Sequence, residues 1–460
     1  MDNLDRPATE GCDSGIQVGR QRTATDSWTL FTPSSFQDGD RSGKSIGLSG
    51  PEPTPLVNHS LPNLARSAML EVALLTGADD KSYALGLTSA LVEQRVSIDF
   101  IGSDKLDAPE LHTTPLVNFL NLRGDQRENV GFLRKVLRIL GYYWRLVQYA
   151  AAARPPIFHI LWNNKFQFID RVLLMLYYRL LGKKIVFTAH NVNAARRDSK
   201  DTIVNRASLR IQYHLADHIF VHTERMQREL VAEFGVLKSN TSVIPFGINN
   251  TSPTTAITSS EAKQRLCVTT SDRTILFFGQ IAPYKGLEYL IDALSDLVNR
   301  NDSYRLIVAG KVKPGQEAYW NEIRRKIAVS EIQHRIIQRI EHIPDEEVEL
   351  YFKAADVLVV PYVQIFQSGV PFLAYSFGLP VIATDVGSLR DDIVEGKTGF
   401  LCRPQDPSHL TNTIDNYFES ELFHDLEARR EEIKKSANER YSWDKVATIT
   451  TGVYSNLLGN

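Results

Sequence analysis

The polar run Gln367-Ser368-Gly369-Val370 follows an apolar stretch at residues 356–361 and precedes helix-compatible residues that Gly378-Leu379-Pro380 ends. A loop that opens a helix offers free backbone amides, which suit an anion, most simply a phosphate. An ordinary strand-to-helix turn accounts for the same residues equally well. Gly369 permits close backbone approach, and Gln367 and Ser368 can donate to hydroxyl or phosphate oxygens. Lys285 follows a second apolar run, residues 274–279, through the turn Gly279-Gln280. A cation there can neutralise a bound anion, although most lysines are simply solvated. His190 closes a third run, 184–188, and is followed by Asn191. A strand-end imidazole can bond a hydroxyl, whereas a lone histidine is more often structural. Arg196 and Arg197 can meet an anionic group or form a solvated basic turn. Asp79 and Asp80 can orient a hydroxyl or merely cap the helix after them.

These side chains need rigid elements behind them. Strands are expected at 69–75, 96–102, 157–161 and 184–188, and in the second half at 274–279, 304–309, 338–343, 356–361 and 380–384. Strands alternating with helices imply parallel sheets, and open parallel sheets bind ligands outside the carboxyl ends of their strands. Residues 129–153 are amphipathic and basic, with Arg134, Lys135, Arg138 and Arg145 beside Leu, Ile, Tyr and Trp. Residues 1–66 are rich in Ser, Thr, Gly, Asp and Pro without sustained periodicity, and a disordered tail is expected. The only Asp-x-Asp, Asp38-Gly39-Asp40, falls in that tail, a poor place for a divalent-metal motif.

Composition narrows the classes. A chain of 460 residues is long enough for two or three domains with full cores. Its 43% hydrophobic and 23% charged content is globular, and a net charge of −2 predicts no general attraction to nucleic acid. Residues 70–250 nevertheless carry more Lys and Arg than Asp and Glu. That excess favours an anionic membrane surface, and a solvated, slightly basic domain fits it as well. Three cysteines give neither a disulfide framework nor metal spacing. Residues 1–26 are polar and acidic, with no apolar signal region. No run approaches the roughly 20 apolar residues of a spanning helix; the nearest, 168–181, is interrupted by Asp170, Arg171 and Arg179. A cytoplasmic protein is expected, with peripheral contact at the inner face of the membrane left open. The chain has no G-x-G-x-x-G, P-loop, serine-hydrolase elbow or Cys/His zinc spacing.

Several segments, in order, resemble the retaining glycosyltransferases of family 4. The stretch Pro361-Tyr362-Val363-Gln364-Ile365-Phe366-Gln367-Ser368-Gly369-Val370 is similar to their nucleotide-sugar loop. Pro283-Tyr284-Lys285-Gly286-Leu287 is similar to their Lys-Gly loop, Thr188-Ala189-His190-Asn191 to their strand-end histidine, and Val243-Ile244-Pro245-Phe246-Gly247 to the approach to their interdomain linker. The resemblance runs from about Leu70 to the C-terminus. It implies an α/β chain of GT-B fold, two Rossmann-like domains with parallel sheets facing a cleft. The layout would be a tail at 1–66, an acceptor domain at 67–248, a linker region at 249–273, a nucleotide-sugar domain at 274–438 and, at 439–460, a helix crossing back to the first domain.

The resemblance further implies a nucleotide-sugar donor, a carbohydrate or glycolipid acceptor, retention of configuration, and no metal or other cofactor. Lys285 and His190 would be catalytic. Gly279, Gln280, Gly286, His342, Ile343, Gln367, Ser368, Gly369 and Val370 would hold the donor, and Asp79, Asp80, Asn191, Arg196 and Arg197 would face the acceptor. Gly396-Lys397-Thr398-Gly399-Phe400 would be a surface hairpin. Two departures stand out. Most relatives place an arginine before the loop lysine, where this chain has Gln280 and Ala282. Most also carry two glutamates flanking the nucleotide-sugar loop, at positions approximately matched here by Ile365 and Leu373. A catalytically silent GT-B binding or scaffold protein is therefore the alternative expectation.

Overall fold

The protein is described by a computed structural model over residues 69–77, 80–126, 131–164, 166–197, 201–248 and 254–459. The expected tail, with Asp38-Gly39-Asp40, lies outside the described residues, as do Asp79 and residues 249–253.

Two parallel sheets organise the chain. The first holds β1 (Glu71–Leu75), β2 (Ser97–Ile101), β3 (Val117–Leu120), β4 (Ile157–Ile160), β5 (Lys184–Ala189), β6 (His218–Val221) and β7 (Thr241–Val243), in the order β3-β2-β1-β4-β5-β6-β7. The second holds β8 (Arg273–Phe278), β9 (Tyr304–Ala309), β10 (Ile336–Arg339), β11 (Val357–Val360), β12 (Val381–Thr384) and β13 (Gly399–Cys402), in the order β10-β9-β8-β11-β12-β13. Helices cover the sheets, so strands such as Val357–Val360 are buried at every residue and read as unbroken apolar runs. In each sheet the winding reverses beside the first strand, between β1 and β4 and between β8 and β11. A doubly wound sheet opens its ligand crevice at that reversal. The two sheets with their helices form the GT-B architecture.

Three local expectations need correction. The strand expected at 338–343 is Ile336–Arg339. Its register ends with Arg339 opposite Ala309, where Gly310 N closes the ladder by donating to the Arg339 carbonyl at 2.9 Å. The segment 396–400 is not a hairpin. It is a turn leading into β13, which pairs in parallel with β12. Gly399, at φ +156°, passes so close to β12 that a Cβ there would lie 1.8 Å from the Val381 carbonyl oxygen. The short strands β3, β6, β7 and β13 were not anticipated.

The last helix, Trp443–Leu458, packs on the helix Lys81–Glu93 of the first sheet's layer. Trp443 fills the space left by Gly86 and Gly247, where added Cβ atoms would come within 2.3 Å of its indole, and its Nε1 donates to the Ile248 carbonyl at 3.0 Å. Deeper in, His159 on β4 is buried between the Tyr454 hydroxyl, 2.6 Å from its Nδ1, and the Thr188 hydroxyl, 2.7 Å from its Nε2.

Candidate active site

The reversal in the second sheet brings two loops together. After β8 the chain passes Gly279, at φ +105°, whose hypothetical Cβ would sit 3.6 Å from Val370. The end of β8 thus touches the helix Gly369–Ser376 that follows β11. The tight turn Pro283–Lys285 then closes on Gly286, at φ +66°. A Cβ at Gly286 would lie 2.0 Å from the Pro361 carbonyl oxygen, so only glycine lets the turn rest on the end of β11.

That contact fixes Lys285, which is buried, with 6% of its surface exposed. Its Nζ donates to the Tyr362 hydroxyl at 2.5 Å and stands 3.9 Å from the tyrosine ring centroid. The same hydroxyl is 3.4 Å from Ser368 Oγ, and Ser368 caps the helix by accepting from Val370 N at 3.4 Å. Cation, phenol and helix N-terminus are therefore one connected chain. Tyr362 is a residue that the sequence reading left without a role. Its signal was its place two residues beyond the strand Val357–Val360.

Gln367 has a partner that sequence distance concealed. Its Nε2 donates to Asp392 Oδ2 at 3.4 Å, and its buried Oε1 has no partner among the described residues. Tyr441 OH also donates to Asp392, at 3.2 Å, and Ser388 Oγ lies 3.4 Å from it. Burial first pushes the Asp392 carboxyl up to about 7, against the lowering effect of these hydrogen bonds. A carboxylate thus stands behind the loop that lacks glutamates, and it turns the Gln367 amide so that the carbonyl faces away from it.

Across the cleft, His190 ends β5 in an aromatic nest. Its ring stacks on Trp162 with centroids 4.2 Å apart and meets Tyr83 edge-on at 4.7 Å. His190 Nδ1 is 2.9 Å from His222 Nε2, while His222 Nδ1 faces the Ile244 carbonyl at 3.4 Å. A carbonyl only accepts, so His222 carries its proton on Nδ1 and leaves Nε2 as an acceptor. His190 must then donate from Nδ1, and its Nε2 keeps a bare lone pair. That Nε2 is buried with no partner among the described residues, and so is Asn191 Oδ1 beside it. Burial pushes the His222 imidazole down to about 4 and, aided by His222, holds His190 well below its usual range, so both rings are neutral near pH 7. Phe246 joins the two sides. It meets the His222 ring at 5.0 Å and stacks on Phe372 of the helix Gly369–Ser376 at 5.3 Å.

The other candidates are more dispersed. Gln280 and His342 are exposed, whereas Ile343 is buried in the second core. Arg196 pairs with Glu233 at 2.6 Å, and with Arg225 and Arg228 it lines a groove of about 600 Å³. The opposite wall of that groove includes Val363–Phe366 and Asp385–Gly387. Arg197 ends the short helix Ala194–Arg197. Asp80 caps the helix Lys81–Glu93, accepting from Tyr83 N at 3.1 Å. Among the described residues, no three His, Cys, Asp or Glu side chains gather as metal ligands.

A doubly wound pair of sheets with this cleft is shared with solved glycosyltransferases. Anabaena HepE in complex with UDP and glucose superposes with a TM-score of 0.65 at 17% identity, covering 84% of this chain and all of that one. Sucrose-phosphate synthase from Thermosynechococcus elongatus gives 0.67 at 18% identity, over 85% and 99% of the two chains. The sequence profile of Glycosyltransferase Family 4 matches residues 81–251, and that of Glycosyl transferases group 1 matches residues 272–420. The chain belongs to the family 4-like, group 1 glycosyltransferases. Among curated relatives, the D-inositol 3-phosphate glycosyltransferase of Corynebacterium efficiens is 26% identical over 283 residues, which is 59% of this chain and 65% of the relative. An uncharacterized glycosyltransferase of Methanocaldococcus jannaschii is 27% identical over 192 residues, 42% of this chain and 47% of the relative. The match thus spans just under two thirds of the first relative and about half of the second.

Proposed function

We propose that the protein transfers a sugar from a nucleotide-sugar donor to a hydroxyl of a carbohydrate or glycolipid acceptor, with retention and without a metal. The observation that carries this reading is the pairing of a buried cation at a helix N-terminus with unpartnered buried acceptors around the cleft. Lys285 and the N-terminus of Gly369–Ser376 suit a departing diphosphate, where charge develops and preorganised donors stabilise it best. His190 Nε2, Asn191 Oδ1 and Gln367 Oε1 are lone pairs awaiting O–H donors, and a sugar is a dense source of those. The relatives' family and the UDP and glucose named for the Anabaena protein point the same way.

In the transfer itself, the glycosidic bond to the diphosphate breaks as the acceptor oxygen approaches the same face of the anomeric carbon. The leaving phosphate oxygen takes the acceptor's proton. Lys285 bears the diphosphate charge, His190 holds a sugar hydroxyl, and the apolar walls of Trp162, Tyr83 and Phe246 keep water from competing. None of Lys285, His190, Asn191 and Gln367, the residues assigned here to donor and acceptor, is a carboxylate, so the transfer is written without a glycosyl-enzyme step.

A second reading is favoured by the Lys285–Tyr362 bond, which already occupies the cation, and by the lack of the usual glutamates. It is a GT-B protein that binds a nucleotide without turnover. The test is a thermal-shift screen against UDP-, GDP- and ADP-sugars, followed by product analysis with and without EDTA. The proposal expects one donor to raise the melting temperature and transfer to survive chelation. If no nucleotide sugar binds, it fails. Binding without product across acceptor panels establishes the second reading, and loss with EDTA restored by Mg²⁺ or Mn²⁺ refutes metal independence.

A further inference from the structure

The large exposed apolar side chains are not scattered. Among the described residues only Val329 and Val394 belong to the second sheet's half, and the rest lie in the first. Their most ordered group is on the helix Phe132–Ala152, where Leu133, Leu137, Leu140 and Trp144 are 56–70% exposed. The spacings of four, three and four put them on one stripe. The opposite stripe, Tyr142, Tyr143, Leu146 and Ala150, is buried in the core. The helix is thus apolar on two sides, and only one side is covered.

The next helical segment continues the surface. Residues 167–180 run alongside, tied by Tyr143 OH to Asp170 at 3.0 Å and by Tyr177 OH to the Val147 carbonyl at 3.2 Å. It presents Leu173, Leu176 and Leu180, each 43% exposed or more. Charge selects the partner. Between residues 131 and 197 the sequence has twelve Lys and Arg and one acidic residue, Asp170, which is buried. Arg134, Lys135, Arg138 and Arg145 flank the Leu133–Trp144 stripe.

We propose that this face docks the protein onto an anionic lipid bilayer, with the apolar stripe seated among the acyl chains and the flanking cations on the headgroups. An amphipathic helix with apolar and cationic borders is held at the interface by both terms. No described helix is long and apolar enough to cross a membrane, so the attachment lies on the surface. A second copy is a poor occupant, because a two-fold contact would set this cationic face against itself. The placement also has a use. The helix starts after β3, at the carboxyl edge of the first sheet, the edge at which His190 ends β5. A bound membrane would therefore border the cleft.

The test is flotation of the full chain with vesicles of phosphatidylcholine, alone or mixed with phosphatidylglycerol. Binding is expected to the mixed vesicles, weakening as salt is added. Arg134→Glu with Arg138→Glu is expected to weaken it by roughly 25-fold or more, from about fivefold per lost cation near the surface. Leu137→Glu with Leu140→Glu is expected to abolish it. Arg134, Leu137 and Leu140 are exposed and Arg138 is half-buried, and an unchanged melting temperature confirms that both variants fold. Equal binding to both vesicle types, or retained binding in the Leu137/Leu140 variant, overturns the proposal. So does a dimer in solution that the Leu137/Leu140 variant breaks, since a second copy would then own the face. Shielding of Trp144 from a soluble quencher in lipid-free monomer also overturns it, assigning the face to the chain's own remaining residues.

Discussion

Replacing His222 by phenylalanine keeps a flat ring against Tyr83 and Phe246 and removes the nitrogen that accepts from His190. In the wild type the 2.9 Å contact holds the His190 proton on Nδ1 and leaves Nε2 bare. A hydrogen bond of that kind is worth about 0.5–1.5 kcal/mol net, which is about a two- to thirteenfold bias between the two tautomers. His222→Phe should erase that bias, and transfer at saturating donor should fall by up to about tenfold. His222→Gln, whose amide oxygen can accept in the same direction, should recover part of the loss. Nitrogen NMR of histidine-labelled protein reads the tautomer directly and needs no substrate. The reasoning is refuted if wild-type His190 carries its proton on Nε2, or if His222→Phe leaves its nitrogen signals unchanged. A fall in rate without a tautomer change would instead mean that His222 matters only for packing.

Lys285→Ala should lower turnover about 10²- to 10³-fold, as for a lost preorganised charge stabiliser. Tyr362→Phe, which keeps the ring and loses only the hydroxyl bond to Lys285, should cost less than tenfold; steady-state kinetics on folded protein compares the two. Gly286→Ala should destabilise by more than about 1–2 kcal/mol, the cost of a left-handed alanine, because the Pro361 carbonyl must also move. Gly452→Ala, in open space on the last helix, should instead stabilise by about 0.5–1 kcal/mol in the same urea titration. The Asp392 carboxyl is raised in the folded state, so the unfolded chain gives up that proton first as pH rises, and the folded state is penalised between about pH 4 and about 7. Relative to wild type, Asp392→Asn should therefore gain stability with rising pH, by at most about 1.4 kcal/mol per pH unit in that window, and a constant difference would refute the buried-carboxyl reading.

The regular part of the fold was legible because parallel strands buried on both faces are unbroken apolar runs. Residues 71–75, 273–278, 304–309 and 357–360 announce themselves in that way. The strands that went unread, β3, β6, β7 and β13, have three or four residues at or near a sheet edge, and β6 opens on a histidine that interrupts its apolar run. Val117–Leu120 includes an exposed Asn118, and Thr241–Val243 is too short to show a period. Within the site, loops placed at strand ends were recoverable, since the carboxyl edge is where such sheets keep their polar residues. Tyr362, His222 and Asp392 were not. Each reaches its partner through a contact that spacing does not encode: Asp392 meets Gln367 from 25 residues away, and His222 meets His190 from 32. His222 also sits in a strand-end position that reads as ordinary apolar filling until its neighbour is seen.

The helix Trp443–Leu458 lends Val446, Ala447, Val453 and Tyr454 to the core beneath the first sheet. During synthesis, strands β1 to β7 leave the ribosome long before those side chains exist. Until then Gly86 and Gly247 have no indole between them, and His159 lacks the Tyr454 hydroxyl. The second sheet has no such wait, because its strands are complete before the helix is made. The core of the first sheet is thus completed only by the last residues made. A chain cut before Trp443 should therefore expose the apolar surface that Val446, Ala447, Val453 and Tyr454 cover, and gain binding of a hydrophobic dye.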